Sequence, residues 1–186
     1  MSPQEYVDFV RSTPNGFKAK ADLPMLEMEV FYQPPTYVSL MNLDDSNMDT
    51  SGWTENYSNL EHFYQFRWSL KPKDEQQKIE DLISKHQSNA DSTPNNIKPV
   101  LSALQERFRL ITDTDTLPCI FYLLEANGQL DNACHATVIF ESPSIIPERQ
   151  FNRGLTFIFD DRDLFHKKFE FNFDKNKLNQ QPIIHF

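Results

Sequence analysis

A mainly β fold is what the sequence predicts: an antiparallel β-sandwich or open barrel with about two or three short helices, an α+β arrangement being the alternative. Three observations carry that expectation. Large side chains recur at every second position in several stretches, as a strand with one buried face requires, and the 186 residues include 16 Phe but only 4 Gly. Asn127-Gly128 separates two apolar runs, a strong short-range hairpin signal. Strand-like runs also follow one another without regular helical crossovers, which disfavours a parallel sheet.

Taken in order, Ser2-Pro3-Gln4-Glu5 is a capping box with proline at the first helical position, and Tyr6, Phe9 and Val10 follow at helical spacing until Pro14-Asn15-Gly16. This short helix is expected to cover one end of a sheet. Residues 25–33 alternate, with Leu26, Met28, Val30 and Tyr32 on one face. Pro34-Pro35 then interrupts the ladder, so a strand at 36–43 would begin at a bend or an edge. Residues 44–59 read as a polar loop. His62, Tyr64, Phe66, Trp68 and Leu70 share a strand face that Pro72 ends, and Asp74 can cap a helix carrying Ile79, Leu82 and Ile83.

Residues 87–99, rich in Asn, Ser, Asp and Pro, read as the most mobile loop. Leu101, Leu104 and Phe108 suit a helical turn leading into a strand at 108–111. The hairpin joins 117–125 to 134–141. A second hairpin pairs Leu155, Phe157 and Phe159 with Phe169, Phe171 and Phe173, and a last strand is expected at 182–186. The total is about seven to nine strands.

The length suits a single domain spanning residues 1–186, burying about 70% of the surface its unfolded chain exposes. Eighteen basic against 27 acidic residues give a net charge of −9. Without a basic stripe, nucleic acid and anionic membrane surfaces are poor partners. No apolar run approaches the ~20 residues of a membrane span, and no secretory signal opens the chain, although a leader removed upstream of Ser2 fits the same observation.

Candidate chemistry is sparse. Four scattered glycines build no phosphate loop, and no G-x-S-x-G, H-E-x-x-H or C-x-x-C motif occurs. Cys119 and Cys134 flank the Asn-Gly turn. A disulfide across the hairpin is one reading and two buried thiols the other. Cys119 with His135 is a conceivable nucleophile and base, but Cys119 sits in an apolar strand where thiols are inert. His62 reads as a core or rim residue, His135 and His166 as exposed. Asp113, Asp115, Asp160, Asp161 and Asp163 belong in turns.

Asp45-x-Asn47-x-Asp49 has the spacing that opens a calcium loop, but glycine is missing at the sixth position and Glu55 stands one place early. A solvated acidic loop is the default there, and no cofactor is expected. Trp53 and Tyr57, in a polar segment, are the candidates for a surface platform that takes sugars or apolar ligands. Tyr64 and Trp68 read as core.

Several segments together resemble a group of uncharacterised cell-envelope lipoproteins of Gram-negative bacteria. They are Ser2-Pro3-x-Glu5-Tyr6-Val7 with Asn15-Gly16, Val30 to Leu40, Leu117-Pro118-Cys119 with Phe121-Tyr122 and Glu125, and Thr156 to Asp160 with Phe169 to Phe173 before Pro182. Lys167-Lys168 stands where that family typically has glycine, and Cys134 is an additional cysteine. The resemblance implies export and an envelope location, periplasmic or outer-membrane. It also implies that the membrane is reached only through a lipid anchor upstream of this chain, and it implies no activity. A cytoplasmic location would follow if no leader exists.

The functional expectation is therefore a non-enzymatic, envelope-associated domain that binds an unidentified protein or polysaccharide. The alternatives are an acidic inhibitor or immunity-type protein docking on a basic enzyme, and a hydrolase using Asp, Glu and His residues that only folding brings together.

Overall fold

The computed structural model describes residues 1–43, 50–74, 76–79, 81–82, 101–125, 132–146, 148–162 and 164–185. Among them are eight strands: β1 Lys18–Asp22, β2 Leu26–Gln33, β3 Phe63–Pro72, β4 Phe108–Ile111, β5 Thr116–Leu124, β6 Cys134–Glu141, β7 Leu155–Asp161 and β8 Lys167–Phe173. Every pairing is antiparallel, in the order β1-β2-β3-β6-β5-β4-β7-β8. The edge strands β1 and β8 lie against each other, so the sheet curls into a nearly closed barrel.

The period-two pattern sets which side chains enter this barrel. Met28, Val30 and Tyr32 from β2, Phe66, Trp68 and Leu70 from β3, and Val138 and Phe140 from β6 are fully buried. Rings from strands that are not neighbours meet across the lumen: Phe66 and Phe157 lie 5.0 Å apart, Trp68 and Phe159 5.6 Å. Such tilted and edge-on pairs contribute beyond the area they bury, about 0.5–1.5 kcal/mol each. The interior is a packed aromatic core rather than a channel.

Among the described residues, α-helices α1 Pro3–Arg11, α2 Pro35–Met41, α3 Thr50–Leu60 and α4 Lys175–Leu178 decorate the barrel. The capping box on α1 is formed in both directions, with Ser2 N donating to Glu5 Oε2 (2.8 Å) and Glu5 N donating to Ser2 Oγ (3.3 Å). Tyr6, Val7 and Val10 join the core. Gly16, at φ +80°, leads the chain towards β1; a β-carbon there would meet Lys177 Cβ at 2.5 Å.

Three expectations need correction. Residues 36–43 hold helix α2, not a strand, because Pro35 occupies the first helical position, where its missing N–H costs nothing. The supposed loop over 44–59 contains α3 from Thr50 onward. No strand forms at 182–185, and α4, capped by Asp174 on Asn176 N and Lys177 N, precedes that segment. The proposed loop at 87–99 lies outside the described residues.

Candidate functional site: an aromatic cleft beside a buried glutamate

Pro34 at the N-cap of α2 has no side-chain acceptor for the helix's first N–H groups. Glu148 supplies one from far along the chain. Thr36 N donates to Glu148 Oε1 (2.9 Å) and Thr36 Oγ1 donates to Oε2 (2.6 Å), both residues being buried. A negative charge at a helix N-terminus is also favoured by the helix dipole.

Helix α3 is fastened to α2 where Ser39 Oγ donates to the Trp53 carbonyl (3.1 Å). Trp53 and Tyr57 are four positions apart and therefore share a helix face. Their rings are stacked, 5.3 Å between centroids at 27°. The Tyr57 phenol and the Glu148 carboxyl interact electrostatically, which couples the aromatic pair to the capping carboxylate. From the other side, Gln181 Nε2 donates to the Glu148 carbonyl (2.6 Å) and receives Tyr6 Oη–H on its Oε1 (2.6 Å). Arg149 Nη2 donates to the Pro182 carbonyl (3.0 Å).

These tethers frame a cleft of about 510 Å³ lined by Trp53, Tyr57, Thr36, Glu148, Arg149 and Gln150, with Ile183 and Ile184 adding apolar surface. That is within the usual size range of small-molecule sites. Burial pushes the Glu148 carboxyl above its ordinary value of 4.5, while the Thr36 bonds and the Arg149 charge pull the other way. Burial, followed by the charges of Glu148 and Glu61, pushes the Tyr57 phenol up to about 12. Tyr57 therefore keeps its proton near neutral pH. Both oxygens of Glu148 accept from Thr36.

Folding brings Trp53 and Tyr57 together as one partly buried wall, although in a helix rather than a loop. Asp45, Asn47 and Asp49 lie outside the described residues. Among the described residues no group of three or more His, Cys, Asp or Glu side chains is placed to hold a metal ion, and no helix is long and apolar enough to cross a membrane.

Cys119 and Cys134 are free, buried thiols, which corrects the disulfide reading. Cys119 is in register with Phe140, whereas Cys134 is opposite Leu70 at the other end of β6. Six residues of strand separate those positions, about 20 Å, against the ~7 Å that a disulfide tolerates. Burial pushes the thiols up to about 11 and about 12.

Nor does Cys119 meet His135. His135 is buried, not exposed, with its Nδ1 2.8 Å from Ser69 Oγ, its register partner on β3. Neither Ser69 nor His135 lines the cleft. His62 is partly buried at the rim of β3 and His166 is exposed, as expected. The aspartates serve backbone turns: Asp113 accepts from Asn152 N (2.8 Å) and Arg153 N (2.6 Å), and Asp161 from Leu164 N (2.9 Å) and Phe165 N. Asp163 is outside the described residues.

Sequence reasoning missed Thr36, Glu148, Arg149 and Ile183. Their meeting depends on contacts 33 to 112 positions apart, which no local period records.

No protein-family model and no curated protein matches this chain. A solved structure of a novel protein of unknown function from Burkholderia pseudomallei covers 97% of this chain and 93% of its own at 8% identity. The TM-score of 0.36 is too low for that likeness to carry an argument.

Proposed function

We propose that this domain is a non-enzymatic binding module whose recognition site is the Trp53–Tyr57 cleft. The observation that carries the reading is the stacked pair walling a cleft of about 510 Å³. Aromatic faces take flat or ring-shaped ligands, sugars included, and the carboxylate lining the cleft is committed to α2. The family resemblance supports an envelope location with a lipid tether, where a polysaccharide or another protein would be the partner.

The test is a thermal-shift panel of soluble oligosaccharides and ring-bearing acids and amides. At least one member should stabilise the protein, by about 2.7 kcal/mol at a hundredfold excess over Kd, and the combined Trp53→Ala and Tyr57→Ala substitutions should abolish the effect. A panel without any shift, or shifts that survive the substitutions, would sink the reading.

A second reading, an acidic inhibitor docking on a basic enzyme, is favoured by one observation. Ile120, Phe121 and Leu123 of β5 are 43%, 46% and 54% exposed on a chain of net charge −9. Apolar anchors within an acidic surface suit a basic partner.

A further inference from the structure

We infer that the ligand of the cleft is a ring-bearing anion, its ring on the Trp53–Tyr57 wall and its acidic group on Arg149. The inference rests on the reading of the cleft as a binding site and adds the chemical class of what it takes.

Arg149 is exposed and, among the described residues, hydrogen-bonds the Pro182 carbonyl, which fixes the guanidinium without neutralising it. Among the described residues no carboxylate lies within ion-pairing distance of it. A guanidinium has five N–H donors, so most of them are left for a ligand. Glu148 meets Thr36 through both of its oxygens, and Gln150 adds an amide to the lining.

A neutral sugar presents hydroxyls that need acceptors as well as donors, whereas a carboxylate, sulfonate or phosphate needs donors alone. The tethered Arg149 cation, most of whose donors are uncommitted, therefore favours the anion. Glu61, whose charge is felt at Tyr57, disfavours the reverse orientation with the acidic group over the aromatic wall.

The experiment is calorimetry with indole-3-acetate and indole-3-acetamide, which share a flat ring and differ in charge. Wild-type protein should bind the acetate about tenfold more tightly than the amide. Arg149→Met should bring the acetate down to the level of the amide without weakening the amide, and Trp53→Ala should weaken both. Arg149 is at the surface, and circular dichroism of the variant checks that the fold is kept. Equal affinity for the two probes in the wild type, or a preference that survives Arg149→Met, overturns the anion and leaves the cleft as a binding site. No heat with either probe at millimolar concentration overturns the ring-bearing anion, and the cleft as a binding site then stands or falls with the oligosaccharides of the thermal-shift panel.

Discussion

The carboxylate of Glu148 does for α2 what an N-cap serine does for most helices, but from 112 positions away. Because burial raises its pKa above 4.5, the folded state holds its proton more tightly than the unfolded chain does. By linkage, the contribution of this group to stability is largest below the ordinary glutamate value and falls as pH rises from 4.5 towards the folded value. Glu148→Gln removes the titration and leaves one Thr36 donor facing an amide N–H, at a cost of about 1–3 kcal/mol. Urea denaturation across the acidic to neutral range should show the advantage of the wild type over Glu148→Gln shrinking as pH rises above 4.5. An advantage that grows with pH would show that the hydrogen bonds to the carboxylate outweigh its burial.

At the level of elements, α2 shows where local reading succeeds and where it stops. Val30 to Tyr32 could be read as strand because buried and exposed positions alternate there. Residues 36–41 carry aromatic and β-branched side chains that suit a strand equally well, and Pro35 through Leu40 are buried on all sides, so no polar face displays a helical period. The Phe hairpin of β7 and β8 was legible as two alternating strands, while its register, Phe157 facing Phe171 and Phe159 facing Phe169, came only with folding. For the site, the sequence pointed to Trp53 and Tyr57 through their aromatic character in a polar stretch. It was silent on Glu148, since one glutamate after a proline looks the same whether it caps a distant helix or faces water. The close approach of backbones before β7 gives a further test. A β-carbon at Gly154 would lie 2.2 Å from the Phe173 carbonyl oxygen, an atom that cannot move without disturbing β8. Gly154→Ala should therefore lose about 2–3 kcal/mol in a chemical denaturation curve, and a neutral result would show that the β7–β8 junction yields.

Across the whole molecule, the barrel closes by packing at the seam between β1 and β8 and by ladder hydrogen bonds everywhere else. Strands β3 and β6 sit inside the ladder, paired on both sides, and β3 carries Phe66 and Trp68 into the centre of the aromatic core. Local opening is drawn from regions with few buried contacts and unpaired edges. Hydrogen exchange should therefore be slowest in Tyr64–Leu70 and Ala136–Phe140 and markedly faster in Lys18–Asp22; similar protection in all three would mean that the seam is as firmly closed as the ladder.

The cleft joins residues 36–57 to residues 148–184, and Ile183 and Ile184 form part of its wall. During synthesis every strand of the barrel leaves the ribosome before that wall does. That wall is thus the last part of the cleft to be made, and the cleft is complete only once Ile184 has left the ribosome.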